Sequence, residues 1–139
     1  MRMPLATRRF AAAAGLVLAA CGGDHDPVSP EQTIAGAYTL RTIDGAALPV
    51  TVNLEDATFT VTRATLSLKA DRTYSQSITA TVTLAGTTVT QTLPDAGTYT
   101  VNGTTVSFVS ASDGSSGTAA YANGTLTVSQ EGTVLVYQR

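Results

Sequence analysis

Ile78-Thr79-Ala80-Thr81-Val82-Thr83-Leu84 is the stretch that decides the fold. Apolar and hydroxylated side chains alternate through it without a break, which is the two-residue period of a β-strand with one greasy face and one wet one. The same alternation recurs on both sides, in Tyr38-Leu40, Leu66-Leu68-Ala70, Tyr99-Val101, Val106-Phe108 and Leu126-Val128. At the end of the chain the inward set is either Val134-Val136 or Leu135-Tyr137. Thr is the commonest residue, and Val, Leu, Ala and Tyr make up most of the remainder after residue 33, which is β composition. No segment after residue 33 carries a 3.6-residue period, so no helix of consequence is expected.

Turn chemistry separates these runs at short intervals: Asp44-Gly45, Ala70-Asp71-Arg72, Ala85-Gly86, Pro94-Asp95-Ala96-Gly97, Asn102-Gly103, Asn123-Gly124 and Glu131-Gly132. Asn-Gly and Asp-Gly adopt the positive φ values that tight hairpins need, so consecutive strands should pair antiparallel. The hairpin reading also accounts for Asn102-Gly103-Thr104 and Asn123-Gly124-Thr125, which match the glycosylation sequon. Ala111 to Thr118 is the longest polar interruption and is expected to be a mobile loop. The expected fold is therefore all-β, an antiparallel up-and-down barrel of about eight strands, since closure removes the edges that long Thr/Val strands would expose. A β-sandwich is the alternative. Its long crossings fit the regular short turns less well.

The N-terminal segment has a different character. Arg2, Arg8 and Arg9 precede an apolar run from Phe10 to Ala20, and Leu18-Ala19-Ala20 leads into Cys21, the only cysteine. The run is too short to span a bilayer and has the layout of a secretory signal. The Leu-Ala-Ala-Cys order with Gly22-Gly23 behind it resembles a bacterial lipoprotein signal. That resemblance implies cleavage before Cys21 and a membrane held as partner through acyl chains on the Cys21 thiol and amine. Two or more such chains anchor a protein stably, at roughly 0.8 kcal/mol per buried methylene. Gly rather than Asp at position 22 implies, by the same resemblance, the outer membrane and not retention at the inner one. The expected organisation is a signal peptide over 1–20, a lipid-anchored flexible tether over 21–32 with Pro27 and Pro30, and a barrel domain over 33–139.

Without residues 1–20 the chain keeps Arg41, Arg63, Lys69, Arg72 and Arg139 against all ten acidic residues, a formal charge of −5. No basic patch or run remains for nucleic acid, which is not expected as a partner. Catalytic constellations are equally sparse. His25, the sole histidine, lies between Asp24 and Asp26 in the tether, there is no second cysteine, and no glycine-rich loop opens a helix. Glu55-Asp56 and Asp113 have the chemistry of acid/base or calcium groups and Arg41 that of an anion anchor, but each is expected to be a surface charge. No enzyme, no metal site and no cofactor is expected.

Gly36-Ala37-Tyr38-Thr39-Leu40, followed by Ile43-Asp44-Gly45 and Leu48-Pro49, resembles the opening of small bacterial lipocalin-like domains, where Gly-x-Trp begins the first strand. Leu135-Val136-Tyr137-Gln138-Arg139 resembles their last strand, in which an arginine packs over that aromatic ring. Tyr stands here for Trp, the chain is shorter than a typical lipocalin, and the usual C-terminal helix is absent. The resemblance implies a barrel-closing pair of Tyr38 with Arg139. It also implies a small apolar ligand, with Tyr38, Tyr74, Tyr99, Phe108 and Tyr121 as the lining residues. These rings either line a cavity or fill it. The alternative to a carrier is accordingly a non-catalytic structural or protein-interaction module of the cell envelope with a filled core.

Overall fold

The computed structural model describes residues 30–139. The signal peptide, Cys21 and most of the expected tether lie outside the described residues. One short helix, α1 (Pro30–Ile34), starts inside the last residues assigned to the tether. The strands follow in order: β1 (Gly36–Ile43), β2 (Ala46–Ala47), β3 (Val50–Asn53), β4 (Ala57–Leu68), β5 (Thr73–Leu84), β6 (Thr87–Asn102), β7 (Thr105–Ser110), β8 (Ser116–Ala122), β9 (Thr125–Gln130) and β10 (Thr133–Gln138).

Eight of these form a closed, antiparallel, up-and-down barrel. From β4 to β10 each strand pairs with the next, β10 returns to β1, and β1 pairs with β4 to complete the circuit. Every pairing of the circuit falls within residues 36–139, so the domain closes its own hydrogen bonding. Four two-residue turns, at Asp44-Gly45, Ala85-Gly86, Asn123-Gly124 and Glu131-Gly132, have positive φ at both positions, the geometry that matches the twist of a hairpin. A β-sandwich is excluded by this circuit.

Alternation sets the inward face. Tyr38, Leu40, Ala64, Leu66, Leu68, Tyr74, Tyr99, Val106, Phe108, Ala119, Leu126 and Tyr137 are buried in one cluster. Tyr137 is fully buried and Leu135 packs against the cluster, whereas Val134 is exposed, so Leu135-Tyr137 is the inward set of the last strand. A bulge between Val61 and Arg63 keeps both halves of β4 on this face by shifting its parity from odd to even residues. Ile34 on α1 is buried too and plugs one end of the barrel, the closed end.

The strands differ in length, and this shapes the molecule. β1 meets β4 over only four residues, Gly36–Thr39 against Thr65–Leu68. Above that seam β4 is paired instead by β3, from Val50↔Val61 to Asn53↔Thr58. β5 and β6 pair along twelve residues, from Thr73↔Thr98 to Leu84↔Thr87, while β7 reaches β6 only from Gly97 to Asn102. The upper parts of β3, β4, β5 and β6 therefore project past the barrel as a four-stranded flap. One face of the flap is threonine in register, with Thr51, Thr60, Thr81 and Thr90 in one row and Thr58, Thr83 and Thr88 in the next. Hydroxyls touch along both rows, Thr51 with Thr60 at 2.9 Å and Thr83 with Thr88 at 2.8 Å. Each such cross-strand pair is worth up to about 1 kcal/mol.

Pro94-Asp95-Ala96-Gly97 corrects an expectation. It is no turn but lies inside β6, with Pro94 opposite Ser77 and Gly97 opposite Tyr74. Proline fits because the other side of β6 has no partner strand above Gly97, so the missing N–H costs no ladder bond. Glycine is required for a different reason: a Cβ at position 97 would lie 2.0 Å from the Val109 carbonyl oxygen and 3.0 Å from the Tyr74 ring. The polar interruption expected over 111–118 also shrinks, because β8 begins at Ser116. The loop that remains is tied by the Asp113 carboxylate to the Ser115 N–H at 2.9 Å, and by the Gly114 N–H to the Ser110 carbonyl at 3.1 Å.

Since the Val109 oxygen belongs to the backbone and cannot swing aside, Gly97→Ala should cost about 3 kcal/mol or more. Gly117→Ala, where a Cβ meets nothing within 4 Å, should change stability by less than about 0.5 kcal/mol. Urea melts of the two variants check both.

Candidate functional site

The expected lining residues fall into two groups. Tyr74, Phe108 and Tyr99 form a chain of rings through the interior, with Tyr74 edge-on to Phe108 at 5.2 Å and Tyr99 tilted against Phe108 at 6.3 Å. Edge-to-face contacts of this kind add about 0.5–1.5 kcal/mol beyond area burial. Tyr38 and Tyr121 sit at the closed end and meet through Arg139. The Arg139 guanidinium lies 5.8 Å from the Tyr38 ring centroid and donates to the Tyr121 hydroxyl at 3.1 Å. It also donates to the carbonyls of Thr33 and Ala35, tying α1 to the end of the last strand. Gly36 has φ +152 beside it, a conformation that side chains rarely adopt.

Each buried hydroxyl is used by the protein itself. Tyr38 donates to the Ile34 carbonyl at 2.5 Å, Tyr99 to the Lys69 carbonyl, and Tyr137 accepts from Gln76 Nε2 at 2.7 Å. Burial pushes the Tyr38 and Tyr137 phenols above their ordinary pKa. Among the described residues no buried side-chain nitrogen or oxygen lacks a partner. The Tyr38 and Tyr99 hydroxyls thus spend their protons on backbone carbonyls, which makes these rings structural members.

At the end opposite α1, one polar cluster emerges that the sequence pattern did not signal. Asp95 on β6 accepts from the Tyr74 hydroxyl at 2.8 Å and from Ser110 Oγ at 2.6 Å, and Ser112 Oγ lies 2.8 Å from Ser110 Oγ. Burial opposes ionisation of Asp95, but the hydrogen bonds from Ser110 and Tyr74 outweigh it and hold the carboxyl below its ordinary pKa. Tyr74 is pushed up to about 12, by burial first and then by the carboxylate it faces. The cluster staples β5, β6 and the end of β7 where the flap leaves the barrel. Turn chemistry around Asp95 masks its place in a strand, and the one signal against a turn is the long Thr/Val run on the N-terminal side of Pro94.

Beneath this cluster lies a cavity of about 60 Å³, partly open at its rim, with Leu66, Phe108, Leu135 and Tyr137 on its apolar side and Gln76 and Asp95 among its polar lining. Tyr38, Tyr99 and Tyr121 do not reach it. β8 and β9 pair only from Thr118↔Ser129 to Ala122↔Thr125. Above that level, on the flank, lies an open groove of about 410 Å³ with mixed walls, Phe108 and Val109 beside Ser107, Ser116, Thr118 and Ser129, and it shares Phe108 and Ser116 with the cavity.

Apolar side chains are instead exposed on the flap. Leu54, Leu84, Val89, Val52 and Leu93 are 61%, 55%, 49%, 48% and 46% exposed. The strand register places Val52, Leu84, Val89 and Leu93 on the face opposite the threonine rows, where Phe59 and Val82 join them, and Leu54 follows β3 in the turn. Glu55 and Asp56 fall in the turn between β3 and β4 and not on a strand, exposed at the rim of this face. Arg41 on β1 is exposed. Among the described residues no three His, Cys, Asp or Glu side chains converge as a metal site would require, and no helix is long and apolar enough to cross a membrane. The chain matches no family model, no curated protein and no solved structure.

Because Asp95 is held below its ordinary pKa in the folded state, it stabilises the fold above the unfolded value near 3.9, and that contribution disappears as pH falls through the lower folded value. Asp95→Asn should cost about 1–2 kcal/mol at neutral pH through its weakened hydrogen bonds. The gap between the variant and the parent protein should narrow as the pH drops below about 4. Thermal melts at pH 7 and pH 3 measure it.

Proposed function

We propose that the chain is a lipid-anchored, non-catalytic interaction module of the bacterial cell envelope, a lipocalin-like barrel whose core is filled. The observation that carries this reading is the size of the interior space. About 60 Å³ is well short of the roughly 300 Å³ at which small-molecule sites begin. Of the rings expected to line a ligand cavity, Tyr74 and Phe108 border this small space, while Tyr38, Tyr99 and Tyr121 pack away from it with their hydroxyls hydrogen-bonded within the protein.

Anchoring rests on the Leu18-Ala19-Ala20-Cys21 pattern, with Gly22 favouring the outer membrane. The position of α1 supports a consistent geometry. The tether would join the barrel at its closed end, so the flap, with its apolar and threonine faces, would point away from the anchoring membrane. Exposed apolar patches on otherwise polar proteins are characteristic of protein contacts. The partner in this reading is another envelope component that meets the flap.

Native mass spectrometry of residues 30–139, made in a bacterial periplasm and challenged with mixed fatty acids and quinones, should return the bare mass. A reproducible adduct of a few hundred daltons would overturn the filled-core reading in favour of a carrier. For the anchor, Cys21→Ser should move the full-length protein from the detergent-rich to the aqueous phase on detergent partition. A parent protein already found in the aqueous phase would contradict it.

A further inference from the structure

We infer that the flap pairs with a second copy of the same chain, edge to edge along β6, in antiparallel register centred on Thr90. The open edge is the first observation. The Ala96 carbonyl points away from β5, since it accepts from the Ala111 N–H at 2.9 Å. Backbone groups alternate sides along a strand, so the N–H and C=O of Thr88, Thr90 and Thr92 face the same way as Ala96. β7 ends at Ser110 opposite Gly97, and no strand among the described residues pairs this side of β6 above it. Natural sheets guard such edges with charge, and there is none: no Lys, Arg, Asp or Glu occurs from Thr73 to Pro94. The flap's other edge, β3, has only four residues, a common protection that β6 lacks.

The sequence of the edge identifies the occupant. Thr88-Val89-Thr90-Gln91-Thr92 is nearly symmetric about Thr90. With a two-fold axis there, Thr90 faces its own copy, Thr88 faces Thr92 of the other copy, and Val89 faces Gln91. Every outward backbone group from Thr88 to Thr92 then finds a partner. Threonine meets threonine on one face and the apolar face stays on one side, so the pairing breaks no alternation. Two features set the register. Pro94 has no N–H to give, and the Ala111 N–H already holds the Ala96 carbonyl, so pairing stops there. The partner's Ala85-Gly86 turn would come to rest at that level. A one-residue slip in either direction would place threonines against the apolar face. The inference stands whether the barrel is filled or empty.

The test uses the barrel of residues 30–139, which has no cysteine of its own. Directly opposed, hydrogen-bonded residues in an antiparallel pair have Cα atoms about 5.5 Å apart, within the span of a disulfide. Thr90→Cys should therefore give a covalent dimer under mild oxidation, more than about tenfold faster than Thr88→Cys or Thr92→Cys alone, whose own copies would stand about 15 Å apart. An equimolar mixture of Thr88→Cys and Thr92→Cys should cross-link as Thr90→Cys does. Sedimentation of the parent barrel should show a dimer, and Thr90→Lys, which sets two charges face to face on the axis, should show a monomer. A monomeric parent at high micromolar concentration, or equal cross-linking at positions 88, 90 and 92, would overturn the inference. Circular dichroism of each variant separates loss of pairing from loss of fold.

Discussion

Everything in this structure depends on a seam four residues long. β1 has eight residues, while β4 and β5 have twelve and β6 has sixteen. A barrel can close only where first and last strands reach their neighbours, and β1 meets β4 only at Gly36–Thr39. The surplus length of β4, β5 and β6 has no barrel to belong to. It stays together as a flap because β3 adds a fourth strand and because Asp95, Tyr74, Ser110 and Ser112 brace its base. At the other end, Arg139 holds α1 against the Tyr38 ring and secures the short seam from below. That cation–ring contact is worth about 0.5–1 kcal/mol at an exposed site. Its importance lies in where it acts more than in its size.

The same arrangement separates the molecule into parts with different physical character. The barrel interior is packed with rings, and its polar atoms are satisfied internally, which makes for a rigid unit. The flap has little behind it, exposing leucine and valine on one face and a lattice of hydroxyls on the other, with an unpaired edge alongside. Exposed apolar area and unpaired backbone hydrogen bonding are thus concentrated on the flap.

Much of the barrel was legible in the sequence. The Ile78–Leu84 alternation marks β5, and the Asp44-Gly45, Ala85-Gly86, Asn123-Gly124 and Glu131-Gly132 turns separate neighbouring strands, because alternation and turn chemistry are local properties. The ambiguity between Val134-Val136 and Leu135-Tyr137 was not local; the identity of the inward face depends on what the last strand packs against. Pro94-Asp95-Ala96-Gly97 misled for a related reason. Its residues have turn chemistry in isolation, yet each is needed in an extended strand: Pro94 for an edge without a partner, Asp95 for Tyr74 and Ser110, and Gly97 for the close approach of Val109. The flap itself was not legible, since it follows from a mismatch in strand lengths that appears only once the ring closes. Whether the aromatic residues lined or filled the interior likewise turned on volume, which no pattern of residue types encodes.

Amide hydrogen exchange, read residue by residue on the dilute barrel, is the most direct test of this division. The account requires amides across the Gly36–Thr39 and Thr65–Leu68 seam to exchange only through global unfolding, at the same free energy as those of β9 and β10, while Thr88, Thr90 and Thr92 on the open edge exchange many orders of magnitude faster. Seam amides that exchanged by local opening, while β9 and β10 stayed protected, would contradict it, because the barrel would then not depend on the short closure at all.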